Sequence, residues 1–385
     1  MWKPYSNEDF CGKVLKDMLR IDSCQPDGNE AKVVERILSL FPEGTEHKVI
    51  CHSDKRQSLI IYAPGQEKTG GVALLGHLDT VPTGDASAWR HPPLGAEEED
   101  GQIYGRGAVD MKSGDTAMIA AALNVLSLNE KPKKPISFCF TADEENGGIG
   151  ARALAEEDCV KNADVLLIAE PSDEYIGVAE KGALWLKLIV SGRLAHSSKP
   201  AEGINAIENA IAFRNRLSAR IDQNSEDKYL GRTTLAITKL QGGVSENMIP
   251  DQAEMVLDIR TLKNIKHADI LESAEKIIKE LETEIPGLLI TLEVLNNRPA
   301  LGINDDHDLV KTAGKIRARL GIESGCKGIF FYTDASLIIP RGEKPFLIIG
   351  PGDDALAHKR DEHVTAGSVA RMAEFYTEYL METCY

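Results

Sequence analysis

The chain has 385 residues, more than one hydrophobic core usually serves, which points to two domains. It is 42% hydrophobic and 27% charged with few aromatics, the balance of a soluble globular protein. Its formal charge of -16 argues against nucleic acid or an anionic membrane surface as a partner. Residues 1–9 contain no apolar stretch of the signal-peptide kind, and no apolar run approaches the length of a membrane span. Seven cysteines, at 11, 24, 51, 139, 159, 326 and 384, are scattered without CxxC spacing. That usage suits a reducing cytoplasm and no disulfide framework.

In chain order, two amphipathic helices come first. Ser6 is expected to cap one that carries Phe10, Val14, Leu15 and Met18 on one face. The other runs from about Glu30 to Phe41. Strands are expected at Ser58–Ala63, Gly71–Leu78, Ile136–Thr141 and Val165–Ala169, with a helix over Ser113–Leu128. The last three strands are almost unbroken apolar runs, as in strands covered on both faces. This alternation predicts a doubly wound α/β domain.

The pattern changes near Ile176. Leu184, Leu186, Leu188 and Val190 alternate with less apolar neighbours, so this strand has one wet face. A helix carrying Ile204 to Leu217 follows, then strands at Thr233–Lys239 and Ala253–Ile259, a helix near Ala268–Leu281 and a strand at Leu288–Val294. The order is β-α-β-β-α-β. We expect an inserted domain at 176–295, within a discontinuous one at 1–175 and 296–385. The latter resumes with a helix from Asp308 to Leu320, a strand Phe346–Gly350 and a closing helix from about Ala366 to Met381.

Several charged motifs end the apolar strands, where open α/β sheets place their sites. Gly76-His77-Leu78-Asp79 closes the Gly71–Leu78 run, and period-two geometry puts His77 and Asp79 on one face. His77 can then hold a metal while Asp79 accepts from its other ring nitrogen. Alone, the pair is also compatible with a loop histidine and a helix-starting aspartate. Asp110 follows Gly105-Arg106-Gly107 and precedes a helix, so it is either an N-cap or a carboxylate bridging two cations. Glu144 and Glu145 follow the Ile136–Thr141 strand. One can bind metal while the other takes a proton from an attacking water and passes it to a leaving amine. By themselves they are two solvated acids before a Gly-Gly turn. Glu170 ends the next strand before Pro171, and His358 lies beyond Gly350-Pro351-Gly352, with His363 as its alternative. One imidazole and one carboxylate per metal, with one shared carboxylate, make a two-metal hydrolytic site.

These five motifs, in this order, resemble the metal-dependent amidohydrolase family that includes acetylornithine deacetylase, succinyl-diaminopimelate desuccinylase, aminoacylase-1 and carboxypeptidase G. The resemblance covers nearly the whole chain. It implies a zinc-peptidase-like catalytic domain with an inserted ferredoxin-like domain that serves dimerisation and lid closure. It also implies two divalent ions, Zn2+ above all, with Co2+ or Mn2+ as alternatives. His77 and Glu170 look like ligands of one metal, Glu145 and His358 of the other, and Asp110 their bridge. Glu144 looks like the general base and Asp79 the orienter of His77. A cis peptide is implied at Asp110-Met111. In the inserted domain, His196 of Gly192-Arg193-Leu194-Ala195-His196 resembles a histidine that reaches the partner subunit's site and polarises the scissile carbonyl. Asn247 resembles a residue that holds substrate or its oxyanion. Arg260 resembles one that grips a substrate carboxylate, with a surface ion pair to Asp258 as its plain reading. Thr333-Asp334-Ala335 falls where the family shapes its substrate pocket.

The function so implied is hydrolysis of the amide of an N-acyl amino acid by a homodimer, with a metal-activated water. A dipeptidase or carboxypeptidase of the same family is the alternative. A non-catalytic binding protein on this fold would need a lost ligand, and none is lost. A nucleotide-binding oxidoreductase fits the sheet but needs a strand-turn-helix GxGxxG, which Gly147-Gly148-Ile149-Gly150 does not supply.

Overall fold

The computed structural model describes residues 4–322, 325–339 and 344–385. The start of the opening stretch, residues 1–3, lies outside them. The chain divides into two compact units: Met1–Val178 with Ile303–Lys327 and Thr333–Tyr385, and Ala179–Gly302 with Gly328–Tyr332.

The first unit is built on a mixed sheet. Its strands run His47–Cys51, Gln57–Ala63, Ile136–Thr141, Val72–His77, Val165–Ile168, Phe346–Ile348 and Ile176–Glu180 in spatial order. The four strands from Ile136–Thr141 to Phe346–Ile348 pair in parallel. The flanking strands are antiparallel. Val72–His77 and Ile136–Thr141 are buried at every position, because helices and loops cover both faces. Register sets His77 opposite Thr141 and Leu75 opposite Ile168, which collects the carboxyl ends of the central strands at one edge.

Helix Lys112–Leu126 is buried from Lys112 to Val125, the pattern of a helix enclosed on all sides. It packs against the sheet and against helices Glu8–Leu19 and Ala366–Cys384. Its first turn comes so close to the site that a Cβ on Gly114 would lie 2.0 Å from the Ala169 carbonyl oxygen. Only glycine allows that approach. Asn7, not Ser6, caps the first helix, by accepting from the Phe10 amide at 2.9 Å. Ser6 Oγ instead accepts from Asn124 Nδ2 at 2.8 Å, a tertiary bond that outranks the local cap.

The second unit holds an antiparallel sheet in the spatial order Thr234–Gly242, Gln252–Thr261, Gly182–Ser191, Leu289–Arg298. Helices Ala206–Arg220 and His267–Glu284 bury one of its faces. Leu184, Leu186, Leu188 and Val190 meet Phe213, Leu217, Ile277 and Leu281 there, while Trp185, Lys187 and Ile189 stay half-exposed. Along the chain its long elements follow β-α-β-β-α-β.

Candidate metal centre

Six chemically active side chains sit at the carboxyl edge of the first unit's parallel strands. His77 is the last residue of its strand, and Glu170 lies two residues past Val165–Ile168. Asp110 closes the loop before Lys112–Leu126, and Glu144 and Glu145 form the turn after Ile136–Thr141. His358 comes from the loop after Phe346–Ile348.

Asp110 is the centre of the arrangement. Its Oδ1 lies 2.9 Å from His77 Nε2 and its Oδ2 lies 3.1 Å from His358 Nε2. Each imidazole has a second carboxylate. Glu170 Oε1 is 3.6 Å from His77 Nε2, and Glu145 Oε1 is 3.0 Å from His358 Nε2. His77, Asp110 and Glu145 each offer a donor atom within 4.8 Å of the others. His77, Asp110 and Glu170 are buried and Glu145 is partly so, whereas the His358 side chain is 52% exposed and marks the solvent side. His363 is not among these donors: its Nδ1 donates to the Asp361 carbonyl and its ring lies against Tyr104. Asp110 does not cap the following helix, whose N-cap is Met111 without a side-chain bond. The Asp110-Met111 peptide is cis.

These donors fit a pair of divalent cations. Among the described residues no lysine or arginine forms an ion pair with Asp110, Glu145 or Glu170. Buried Glu170 Oε2 has no hydrogen-bond partner in the described structure. Burying such a carboxylate is costly without a compensating cation. The titration behaviour has the same origin. Burial pushes Glu170 well above the usual carboxylate range, against the pull of His77. Burial and the neighbouring Asp110 likewise raise Glu145. Hydrogen bonds to Asp110 and Glu145 push His358 up to about 10. Burial disfavours protonated His77, but Glu170, Asp110 and Asp79 outweigh it and raise it. Burial also resists ionisation of Asp110, yet its bonds to His358 and His77 hold it below its ordinary value. Metal-free, the imidazoles thus take protons to balance the carboxylates; a dication supplies that positive charge instead.

A second layer holds the donors. His77 Nδ1 donates to the backbone oxygen of Asp79 at 2.9 Å, while the Asp79 carboxylate stands at 3.7 Å. That carboxylate accepts the amides of Glu144 and Glu145 at 3.0 and 3.1 Å, and Gln25 Nε2 at 2.8 Å. So Asp79 orients His77 through its main chain and fixes the acidic doublet through its side chain. Sequence spacing foresaw a carboxylate on the ring; the turn's unpaired peptide donors claim it instead. Arg56 backs this layer, bonding Gln25 Oε1 at 2.6 Å and Asp143 Oδ1 at 2.8 Å. Asp143 and His358 have left-handed backbones, φ 68° and 62°, a conformation that non-glycine residues rarely adopt outside constrained sites.

Glu362 has a similar role under Asp110. Its carboxylate accepts the amides of Val109 and Asp110 at 2.7 and 2.9 Å and pairs with Arg106 at 2.6 Å. Lys112, despite its place in Asp110-Met111-Lys112, turns away from the donors. Its ammonium donates to the Met18 and Ile21 carbonyls, at and beyond the end of the first helix, a favourable place for a cation. Gln25, Arg56 and Glu362 carry no signal in the sequence, because each reaches the site from a segment without strand periodicity or motif. Thr141 at its strand end donates to Asp334 Oδ2, which ties Thr333-Asp334-Ala335 beneath the site.

The three other candidates belong to the second unit. His196 is exposed, pairs its backbone with Met248, and its Nδ1 accepts from Ser198. Asn247 is exposed beside it, with its carbonyl accepting the Ser197 amide at 2.9 Å. Arg260 forms a two-pronged ion pair with Asp258 at 2.9 and 3.2 Å.

Residues 73–382 match peptidase family M20/M25/M40. An uncharacterized metallohydrolase of Methanocaldococcus jannaschii is 28% identical, with 96% of this chain and 98% of that protein covered. A probable succinyl-diaminopimelate desuccinylase of Staphylococcus aureus is 24% identical over 95% of each chain. The crystal structure of a Bacillus subtilis dinuclear metal-binding peptidase of the M20 family superposes with a TM-score of 0.73 at 16% identity, with 97% of each chain covered. The likeness to that structure establishes the fold alone. With four fifths of the chain matched, and with imidazoles and carboxylates gathered at the sheet's carboxyl edge, the protein belongs to peptidase family M20/M25/M40 and is a metallohydrolase of amide or peptide bonds.

Proposed function

We propose that this enzyme removes the acyl group from an N-acyl amino acid. The observation that carries the reading is Asp110, with one carboxylate oxygen toward each imidazole and a further carboxylate behind each ring. His77 and Glu170 would hold one cation, Glu145 and His358 the other, and Asp110 both. Zinc is the proposed ion, with cobalt or manganese as substitutes. Such a pair supplies Lewis acidity toward water and the amide oxygen. Glu144, buried in the same turn as Glu145, takes the proton of the attacking water on its carboxylate and delivers it to the departing nitrogen. Asp79 holds the doublet in place for that transfer through two peptide amides. The probable desuccinylase among the relatives supports an acyl substrate.

A dipeptide or carboxypeptidase substrate uses the same chemistry, so the test is a screen. Acetylated and succinylated amino acids and dipeptides are offered with zinc, manganese or cobalt. Release of free amino acid chiefly from the acylated set is the expected outcome. Preferential cleavage of dipeptides favours the peptidase reading, and no hydrolysis of either sinks both.

The proposal extends to the second unit, residues 176–295 in the sequence reading. It pairs two copies of the chain and lends His196 to the partner's carbonyl, with Asn247 and Arg260 on the substrate. The enzyme then works as a cytoplasmic homodimer. Mixing inactive Glu144→Gln with inactive His196→Ala under subunit exchange should restore activity at sites that receive both intact residues. Demonstrated exchange without recovery overturns the shared site.

A further inference from the structure

The central sheet comes apart where two of the metal donors leave it. Strands Val72–His77 and Val165–Ile168 pair in parallel from Val72 opposite Val165 to Leu75 opposite Ile168. One more bond, from the Ala169 amide to the Leu75 carbonyl at 2.8 Å, closes that ladder. Two further steps of the same register would set His77 opposite Glu170 and give the His77 amide to the Ala169 carbonyl. The His77 amide donates instead to the thioether sulfur of Met111, at 3.2 Å in the protein interior. Two glycines make room for this. A Cβ on Gly76 or on Gly114 would lie 2.9 Å from Met111 Cε, closer than real Cβ contacts come. Met111 thus precedes helix Lys112–Leu126 as its cap by position only, and its side chain runs back through this slot to the strand end.

We propose that Met111 is a positioning residue for the cation that His77 and Glu170 would share, acting through the main chain of His77. The inference rests on the two-ion reading above. A thioether suits the task, because it brings a weak acceptor into an apolar slot on an unbranched, adaptable chain. A leucine there would fill the space and leave a buried N–H without a partner. His77 is then held at two points, its amide by Met111 Sδ and its ring Nδ1 by the Asp79 carbonyl at 2.9 Å. With both fixed, Nε2 stays directed at Asp110 Oδ1, 2.9 Å away, and at Glu170 Oε1, 3.6 Å away. Releasing the amide lets the strand end shift, so the His77–Glu170 pair loses its spacing. Glu145 is anchored elsewhere, its amide donating to Asp79 Oδ2 at 3.1 Å, so the ion it shares with His358 should be spared. If Met111 did no more than fill the slot, leucine would serve equally well.

The test compares Met111→Leu with the wild-type residue in the full-length chain, since leucine keeps the apolar volume and removes the acceptor. Zinc affinity is read by competition with a chelator in two backgrounds. In Glu145→Gln the His77–Glu170 position is the tight one, and Met111→Leu should weaken it about tenfold, the lower end for losing a residue that orients a ligand. In Glu170→Gln the Glu145–His358 position remains, and Met111→Leu should leave its affinity unchanged. Hydrogen exchange of the metal-free proteins gives a second readout. The wild-type His77 amide should exchange as slowly as those of Leu74 and Leu75 in the same strand, and Met111→Leu should speed it about tenfold while theirs hold. Equal loss of zinc affinity in both backgrounds would place Met111 with the Asp110 loop rather than with His77 and overturn the proposal. No loss in either would overturn it too. So would a wild-type His77 amide that exchanges as freely as an unbonded one, an observation that needs neither a variant nor metal. Fewer than two zinc ions on the wild-type enzyme sink the two-ion reading, whereas a fast His77 amide sinks this inference and leaves that reading standing.

Discussion

The two units hold their candidate site residues in opposite ways. In the first, Asp79, Asp110, Glu144, Glu170 and His77 are all buried, within a network from Arg56 through Gln25 to Asp79 and from Arg106 through Glu362 to the Asp110 amide. In the second, His196 and Asn247 are exposed, and Arg260 spends its guanidinium on Asp258. Exposed groups of that kind cost nothing to keep and imply little by themselves. Buried carboxylates are expensive unless something compensates them. The first unit therefore announces a cation site from its own geometry, while the role proposed for the second unit has no such geometric sign of its own.

The largest expected effect separates the two glutamates of the doublet. Glu144→Gln should retain metal and lose about 10²–10⁴ in turnover, the usual range for a general base. Glu145→Gln should weaken one metal site and regain rate as metal is added. Metal analysis beside kcat checks both, and the reverse behaviour would exchange their roles.

Removing metal should strike the first unit alone. With a chelator, activity vanishes and the amides around Asp110 and the 144–145 turn lose hydrogen-exchange protection, while the second unit's sheet keeps its own. At a hundredfold excess over Kd, metal should add about 2.7 kcal/mol to the stability of the unit that holds it. Equal loss of protection in both units would mean that the contrast between them is not one of stability.

Arg260 is the place where the contrast can be broken from the other side. If its guanidinium leaves Asp258 for a substrate carboxylate, Arg260→Lys should raise KM by about tenfold or more, as expected when a charged, two-pronged bond is lost. kcat should change little. An unchanged KM would keep Arg260 as a surface ion pair.

This difference between units also explains what could be seen from the sequence. His77, Asp110, Glu145, Glu170 and His358, which the structure brings together, stood out because their motifs end apolar runs or follow glycine loops, but the choice of Glu145 over Glu144 and of His358 over His363 came from the family resemblance. Strands at Ile136–Thr141 and Val165–Ile168 were legible because burial on both faces leaves an unbroken apolar stretch. The short strands Gln102–Tyr104 and His363–Thr365 were not, since three residues carry no periodicity. Arg56, Gln25 and Glu362 were equally silent. Their importance comes from tertiary hydrogen bonds between segments far apart in the chain, and no local pattern records those.

The smallest effect tests whether the second unit has a buried titrating group of its own. His267 opens the helix His267–Glu284 and is almost wholly buried. Its two ring nitrogens meet Thr261 Oγ1 at 2.8 Å and Asn297 Oδ1 at 2.7 Å, joining two strands to the helix start. Burial lowers its pKa below the ordinary 6.5, with the Asn297 bond opposing. The folded state then binds fewer protons than the unfolded one below that value, so stability is present above it and is lost as the pH falls. Hydrogen exchange of strands Gln252–Thr261 and Leu289–Arg298 should accelerate, after correction for intrinsic rates, between about pH 7 and about pH 5, the range around an ordinary histidine pKa. His267→Gln can still bond to Thr261 or Asn297 but cannot titrate. It should be less protected than wild type at neutral pH, and the gap should narrow on acidification. A gap that holds constant across this range would mean that His267 is not the titrating group.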